Sequence, residues 1–157
     1  MAAKSDSGEK LIASNKKALH EYFILQKFEA GLMLTGTEVK SLRDGKAQLK
    51  DAYVIFKDDE AFLFGAHISP YSHGNLQNHE PERTRKLLLH RREIDKLKVQ
   101  TTEKGLSVVP LRLYFRGSKV KAEIAVVRGK KQYDKRDTER KREADRENAA
   151  AIKQGRG

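Results

Sequence analysis

The amino-acid sequence predicts a mainly β protein, an antiparallel barrel of about six short strands with short peripheral helices and a charged C-terminal tail. Three observations lead to this fold class. Short runs rich in aromatic and β-branched residues recur along the chain, and polar or glycine-containing turns join two pairs of them. Only two short segments have helical spacing. The residues after position 136 include almost nothing apolar that could pack into a core.

The strand predictions follow in chain order. Residues 20–28 are aromatic and branched, as an extended segment should be, and residues 32–34 continue after a glycine. Residues 53–64 predict a hairpin with a polar turn, and residues 108–127 predict a second hairpin across a glycine-containing turn. Pro110 has no N–H for a strand ladder, so its strand should lie at an edge or carry a bulge there.

Two short helices are predicted between these strands. Thr35 and Glu38 have the spacing of a capping box and open a helix that an Asp-Gly pair closes. Residues 91–98 predict the second helix, with Ile94 and Leu97 three positions apart on one face. This order of elements favours the OB-fold, the basic, oligonucleotide-binding member of the barrel class.

Composition divides the chain into three segments. We expect residues 1–13 to be a flexible extension, since they lack the apolar region of a secretion signal. Residues 14–128 are expected to form the barrel, and residues 129–157 a basic tail. Between residues 137 and 149 there is no apolar stripe, and the favourable and unfavourable charge pairs nearly cancel. The tail is therefore expected to be disordered in the free protein.

The charge balance indicates a polyanionic partner. The chain has 33 Lys and Arg against 22 Asp and Glu, a formal net charge of +11. The tail has 10 basic and 6 acidic residues and the body has 23 and 16, so both parts are basic. Such an excess promotes binding to nucleic acid or an anionic surface. No apolar stretch is long enough to span a membrane, and the absence of cysteine excludes disulfides and cysteine-ligated metals.

One long segment has no predicted secondary structure. Residues 68–86 contain prolines, a glycine and histidines, and end with the basic residues Arg83, Arg85 and Lys86. Connections of this length inside a compact domain are usually functional or disordered. We expect a flexible loop that becomes ordered on an RNA surface.

No catalytic motif is present. The sequence has no phosphate-binding glycine loop, no Gly-x-Ser-x-Gly turn and no His-Glu-x-x-His helix. The spacing of His67, His73 and His79 matches no zinc pattern. Glu29 and Glu38 are far apart in sequence, so structural roles are expected for both. We expect no enzymatic activity, no metal and no cofactor.

The segment that joins the body to the tail has the composition of a nucleic-acid contact. It begins with Gly129 and continues through two lysines, one tyrosine and a second basic pair to Arg136. Lysine and arginine neutralise phosphates, and a tyrosine ring can stack on a base. A solvated basic linker would have the same composition.

Several separated motifs resemble one known family. The motifs are Asn15-Lys16-Lys17-Ala18, His20-Glu21-Tyr22-Phe23, Phe28-Glu29-Ala30-Gly31, Gly36-Thr37-Glu38-Val39-Lys40-Ser41-Leu42-Arg43, Gly45-Lys46-Ala47, Asp51-Ala52-Tyr53, Arg83-Thr84-Arg85-Lys86-Leu87-Leu88-Leu89, Gly129-Lys130-Lys131 and Asp134-Lys135-Arg136. In this order, over residues 15–136, the sequence resembles the SsrA-binding protein (SmpB) family, the bacterial partners of transfer-messenger RNA.

The resemblance implies a six-stranded OB-type barrel and an RNA-binding adaptor without enzymatic activity. The adaptor would bind the tRNA-like domain of transfer-messenger RNA and deliver it to stalled ribosomes for trans-translation rescue. Its body and tail would replace the missing anticodon arm, and the tail would become helical on the ribosome. We accordingly expect a cytoplasmic monomer whose partners are transfer-messenger RNA and small-subunit ribosomal RNA near the decoding centre.

The resemblance also implies two groups of site residues. The group expected to contact transfer-messenger RNA is Asn15, His20, Tyr22, Glu29, Leu89 and Lys121. The group expected to act at the decoding centre is Gly129, Lys130, Lys131, Tyr133, Asp134, Lys135 and Arg136. The distal tail departs from the family because only Ala151 and Ile152 supply an apolar pair. Some relatives have histidine in place of Tyr133, and either ring could stack on a base.

The residues themselves support part of this assignment. His20 and Tyr22 are two apart, so on a strand both would face the same side. Lys121 lies on the strand face opposite the apolar residues, as a phosphate contact must. Tyr22 could instead pack in the barrel, Leu89 could be a core residue, and Lys121 could be an ordinary surface lysine. The carboxylate of Glu29 could accept hydrogen bonds from base edges or hold a neighbouring lysine.

Two other functions fit the sequence. An RNA-modifying enzyme or nuclease could use the three histidines. A ribosomal or nucleoid structural protein would bind nucleic acid without preference. Function that persists after a chelator removes metal would count against the enzyme. Competition between tRNA-like RNA and bulk duplex would separate a general nucleic-acid-binding protein from an adaptor.

Overall fold

Seven antiparallel strands form one curved sheet in the computed structural model, which describes residues 9–72 and 78–130. The strands are β1 Glu9–Ser14, β2 Tyr22–Leu32, β3 Ala47–Gln48, β4 Tyr53–Lys57, β5 Glu60–Phe64, β6 His67–Ile68, β7 Arg85–Leu88, β8 Ser107–Arg116 and β9 Lys119–Gly129. The helices are α1 Lys16–Glu21, α2 Gly36–Arg43 and α3 Arg91–Thr102. The sheet order is β1-β8-β9-β2-β7-β5-β4, and β3 pairs with β6 separately.

The mainly β antiparallel class is confirmed, with a larger sheet than the six strands expected. The sheet curls so that β4, at one end, packs against β8, next to the other end. Within the described residues, no strand ladder joins β4 to β1, so the barrel is not closed by hydrogen bonds. The architecture is therefore an OB-like curled sheet with an open seam.

Both predicted hairpins are confirmed. In the β4–β5 hairpin, Asp58 and Asp59 form the turn with φ of 51° and 63°. Two successive left-handed residues match the right-handed twist of the flanking strands. The β8–β9 hairpin turns at Gly117, whose φ is 63°. The register of β8 shifts between Pro110 and Arg112, which is the bulge that proline requires.

The inner face of the curled sheet carries the main core. Its buried side chains come mainly from β2, β4, β5, β7, β8 and β9, and α2, β6 and α3 add Leu42, Ile68, Ile94 and Leu97. A second, smaller core lies on the outer face, where Ala18 of α1 packs on β8 and β9. Because α1 covers this patch, most residues in the first half of β8 and in the second half of β9 are buried and apolar on both faces of the sheet.

Two predicted boundaries are corrected at the N-terminal side. Glu9–Ser14 is a strand paired with β8, so residues 9–13 belong to the folded body and not to a flexible extension. Residues 20 and 21 end α1 and do not begin a strand. The Asn15 side chain accepts a hydrogen bond from the Ala18 N–H and opens this helix, and the pairing with β9 begins at Tyr22.

The predicted capping box is confirmed at α2. The Thr35 hydroxyl accepts from the Glu38 N–H at 3.4 Å, and the Glu38 carboxylate accepts from the Thr35 N–H at 2.8 Å. Gly45 follows with a φ of 70° and ends the helix. The second predicted helix, at residues 91–98, extends to Thr102.

The segment predicted to lack secondary structure has no helix or strand in its described residues 69–72 and 78–84, but it ends at β7 and its basic residues belong to an ion cluster. Arg85 begins β7 and is fully buried, with its Nε 2.6 Å from a Glu38 carboxylate oxygen. Arg83 donates to the other oxygen at 2.7 Å. Lys86 forms an ion pair with Glu60. The expectation that Arg85 and Lys86 belong to the loop is wrong, because both lie in β7, and all three cations bind carboxylates of the same chain. That the loop becomes ordered on RNA stays a prediction.

The partners of Glu38 also lower the pKa of its carboxyl group. Burial by itself raises the pKa of a carboxyl group, but hydrogen bonds from Arg83, the Thr35 N–H and Arg85 outweigh it. The net effect lowers the pKa of Glu38 to about 2. Glu38 is therefore a structural carboxylate, as the sequence predicted.

Candidate RNA interface

Asn15 fixes the helix that carries the first group of predicted RNA residues. Its side chain is 4% exposed. Its amide Nδ2 donates to the carbonyl oxygens of Pro110 at 2.9 Å and Leu49 at 3.2 Å. Its Oδ1 accepts from the Ala18 N–H. Both amide hydrogens are thus engaged within the protein, so Asn15 positions α1.

Replacing Asn15 with alanine should lower the free energy of unfolding by about 2–3 kcal/mol, because the helix cap and two buried carbonyl partners are lost. Urea unfolding measures this change. Asn15→Asp is the matched variant, since it keeps the cap acceptor but has no amide donor for Leu49 and Pro110. If Asn15→Asp were as stable as the wild type, the two bonds from the amide would contribute nothing.

His20 and Tyr22 lie at the junction of α1 and β2, both partly exposed. The expectation that they share one side of a strand is wrong, because His20 is helical. Tyr22 lines a cavity of about 340 Å³ together with Lys17, Lys50 and other residues of α1, β4 and the start of β8. Tyr22 also packs against the smaller core, so it combines a packing role with an accessible position.

An ion pair borders this cavity. The ammonium of Lys17 lies 2.7 Å from the carboxylate of Asp51. Hydrogen bonding to Asp51 raises the pKa of Lys17, and the same bond lowers the pKa of Asp51. The pair joins α1 to the turn before β4 at the surface.

The other residues expected to contact transfer-messenger RNA meet at a separate concavity of about 780 Å³. Glu29, Leu89 and Lys121 all line it. The register brings them together, because Gly31 of β2 lies opposite Lys121 of β9 and opposite Leu88 of β7. The structure therefore joins three residues that are up to 92 positions apart in sequence, from 29 to 121.

Glu29 is held by partners that the sequence did not reveal. The Tyr114 hydroxyl donates to its carboxylate, and Arg116 donates to it at 2.9 Å. Burial and the bond to Glu29 raise the pKa of Tyr114. Glu29 was expected either to accept hydrogen bonds from base edges or to hold a neighbouring lysine. In the structure it binds a cation, but this cation is Arg116 and not a lysine.

Tyr114 lies at the centre of a charged network on the outer face of the sheet. The guanidinium groups of Arg112 and Arg116 lie 4.4 Å and 5.6 Å from its ring centroid. Glu9 contacts Arg116 at 2.6 Å and Arg112 at 3.4 Å. Alternation along β8 places residues 112, 114 and 116 on one face, and this period of two is the signal that could have identified them.

Lys121 borders the network and is partly exposed, opposite Tyr114 in the β8–β9 register. Leu89 is partly buried and packs against the main core, whereas its neighbour Leu88 is 50% exposed. Lys121 can therefore present a cation to a phosphate at the edge of the concavity, and Leu89 mainly shapes its wall.

The start of the tail is the last part of the chain in the described residues. Gly129 ends β9 opposite Tyr22, and the Lys130 N–H donates to the Glu21 carbonyl oxygen at 2.8 Å. The other predicted decoding-centre residues lie outside the described residues: Lys131, Tyr133, Asp134, Lys135 and Arg136.

The histidines at the predicted loop have structural partners. The His79 ring nitrogens lie 2.9 Å from the Thr37 hydroxyl and 2.9 Å from the Ile68 carbonyl oxygen. His67 lies 3.1 Å from the Glu82 carboxylate, and His73 lies outside the described residues. Within residues 9–72 and 78–130, no three His, Asp or Glu side chains are grouped so that they could hold a metal ion. No helix in these ranges is long and apolar enough to cross a membrane.

The curled antiparallel sheet, the excess positive charge and the grouping of Glu29, Leu89 and Lys121 at one concavity define a basic protein of the OB-like, nucleic-acid-binding class. The model of the SmpB protein family matches residues 12–154. The chain therefore belongs to the SmpB protein family.

Individual relatives agree with this assignment. The chain is 57% identical over 146 residues to the SsrA-binding protein of Pelobacter propionicus, covering 93% of this chain and 96% of the relative. It is 56% identical over 152 residues to the SsrA-binding protein of Solidesulfovibrio magneticus, covering 97% and 98%. A solved structure described as "tmRNA-SmpB: a journey to the center of the bacterial ribosome" is 43% identical, with a TM-score of 0.66, and the match covers 76% of this chain and 85% of that chain.

Proposed function

We propose that this protein is an RNA-binding adaptor that binds the tRNA-like domain of transfer-messenger RNA and delivers it to stalled ribosomes for trans-translation. Family membership over residues 12–154 is the observation that carries this proposal. The relatives named SsrA-binding protein and the solved tmRNA-SmpB structure with the bacterial ribosome support both partners. The adaptor acts in the cytoplasm as a monomer, with no cofactor and no catalytic reaction of its own.

The body supplies the RNA face in this proposal. The α1–β2 junction presents His20 and Tyr22, and Asn15 holds that junction in place. The concavity near the other end of β2 presents Lys121 to the phosphate backbone. The Glu29 carboxylate, already bound to Tyr114 and Arg116, keeps the basic outer face ordered for RNA.

The tail supplies the ribosome contact. Residues 129–136 combine four basic residues with one tyrosine, which suits phosphate neutralisation and base stacking near the decoding centre. In this proposal the body and tail replace the anticodon arm of a tRNA, and the tail becomes helical only on the ribosome.

Competition binding tests the proposed RNA partner. The full chain is bound to labelled transfer-messenger RNA, and an unlabelled tRNA-like domain or a bulk RNA duplex is added at a series of concentrations. The tRNA-like domain should displace the label at much lower concentration than the duplex. Equal displacement by both RNAs would instead indicate a general nucleic-acid-binding protein and would overturn the adaptor function.

The salt dependence of binding tests Lys121. Loss of one phosphate contact lowers the slope of log affinity against log salt by about 0.7 to 0.9. We expect this change for Lys121→Ala in filter-binding titrations. Glu29→Ala should lower the affinity at every salt concentration with nearly the same slope as the wild type. Lys57→Ala, at an exposed position at the end of β4, is the matched control and should leave the slope unchanged. A wild-type slope for Lys121→Ala would remove Lys121 from the phosphate contacts.

A further inference from the structure

The tail root, defined as residues 128–130, is fixed to the end of α1. The Lys130 N–H donates to the Glu21 carbonyl oxygen at 2.8 Å, and its Nζ donates to the Leu19 carbonyl oxygen at 3.4 Å. Carbonyl groups at a helix C-terminus attract cations. These two bonds determine where the chain leaves β9 relative to the α1–β2 junction.

One aromatic ring contacts both cations of the tail root. The Arg128 guanidinium lies 4.9 Å from the centroid of the Phe23 ring, and the Lys130 ammonium lies 5.2 Å from it. Phe23 and Arg128 are direct partners in the β2–β9 register. The negative face of an aromatic ring attracts cations, so the ring offsets the mutual repulsion of two neighbouring positive groups.

We propose that Phe23 is a positioning residue that sets the direction of the tail. Its ring holds Arg128 and Lys130 against the junction that also carries His20 and Tyr22, so the RNA face and the start of the tail share one rigid support. This inference rests on the proposed function, in which the body binds transfer-messenger RNA while the tail reaches the decoding centre. If the RNA face and the start of the tail are already held in place relative to each other, less conformational entropy is lost when the body binds RNA and the tail binds the ribosome.

Substituting Phe23 in the full chain tests the role of the ring. Phe23→Leu keeps an apolar side chain but removes the ring, and Phe23→Met is a second variant without a ring. In gel-shift assays, both should bind transfer-messenger RNA within about twofold of the wild type. Tagging on stalled ribosomes should fall about fivefold, which converts to roughly 1 kcal/mol, the size of a cation–π contribution. Phe23→Tyr keeps the ring and should restore tagging.

A measurement on the free protein separates positioning from general destabilisation. The heteronuclear NOE of the Lys130 amide should fall in the Leu and Met variants and stay at the wild-type value in Phe23→Tyr. Leu25→Ala removes another exposed apolar side chain of the same strand and should change neither tagging nor this NOE.

Three results bear on the two proposals separately. Wild-type tagging by both ring-free variants, with an unchanged Lys130 NOE, would overturn the positioning role. Equal losses of RNA binding and tagging would also overturn it, because Phe23 would then belong to the RNA face. Failure of the wild-type chain itself to bind transfer-messenger RNA would overturn the proposed function instead.

Discussion

Replacing Asp134, Lys135 and Arg136 together with alanine should reduce tagging on stalled ribosomes to the level seen without the protein. Binding of the same variant to transfer-messenger RNA should stay within about threefold of the wild type, a change below roughly 0.7 kcal/mol. The reason is the separation of the two proposed sites. The residues proposed to bind RNA lie on the folded body, whereas these three residues follow the end of β9 at Gly129.

A gel-shift titration and a tagging assay on ribosomes stalled at a message without a stop codon measure the two activities in parallel. The matched control is a second triple variant at the far end of the tail, Lys153→Ala with Gln154→Ala and Arg156→Ala. It should retain more tagging, since these residues lie outside the basic segment that ends at Arg136. If RNA binding fell as far as tagging in the first variant, the division between body and tail would be wrong.

Replacing Glu38 with glutamine should lower the free energy of unfolding by about 3–5 kcal/mol, because the fully buried Arg85 loses its counter-ion. The guanidinium keeps its bonds to the carbonyl oxygens of Ala66 and Pro81, but these carry no negative charge. Arg83, which is 38% exposed, can turn to solvent and adds less to the cost.

Urea unfolding monitored by circular dichroism measures the loss. Glu80→Gln is the matched control, because Glu80 is exposed and should change stability by less than about 0.5 kcal/mol. The double variant Glu38→Leu with Arg85→Met removes both charges and should recover much of the lost stability. A single Glu38→Gln variant as stable as the wild type would show that the cluster contributes nothing to the fold.

The Glu38 carboxylate makes the free energy of unfolding depend on pH in the acid range. The pKa of Glu38 is about 2 in the folded protein and near 4.5 when unfolded. Its contribution is therefore complete above pH 4.5 and disappears as the pH falls toward 2. A shift of this size corresponds to on the order of 3 kcal/mol. In Glu38→Gln, the stability lost between pH 6 and pH 3 should be smaller than in the wild type.

The sequence predicted those features that depend on residues close together in the chain. The two hairpins follow from alternating apolar residues on either side of a turn, and the α2 capping box follows from Thr35 and Glu38 three positions apart. The bulge at Pro110 follows from one missing N–H. Each of these signals lies within a few residues, where local propensity decides the conformation.

The same local rules failed where a contact with a residue far away in sequence sets the conformation or the burial. Residues 20 and 21 were expected in a strand because their aromatic neighbours favour extended backbone, but they end a helix that Asn15 caps. Asn15 in turn bonds to Pro110, 95 positions away. Arg85 was assigned to an RNA loop because its neighbours are polar, yet it pairs with Glu38, 47 positions away. Composition cannot distinguish a cation that will be buried with a carboxylate from one that remains in solvent.

Composition, local patterns and motifs were sufficient to predict the mainly β class, the basic charge, the two hairpins, the α2 cap and the family. The folded chain was needed to identify which polar residues support the fold, because their partners are far away in sequence. Glu29 meets Tyr114 and Arg116 across 85 and 87 positions, and the strand register brings Lys121 to the concavity it shares with Glu29. Such contacts depend on sheet order and register, which the whole core sets through the burial of one face of every strand.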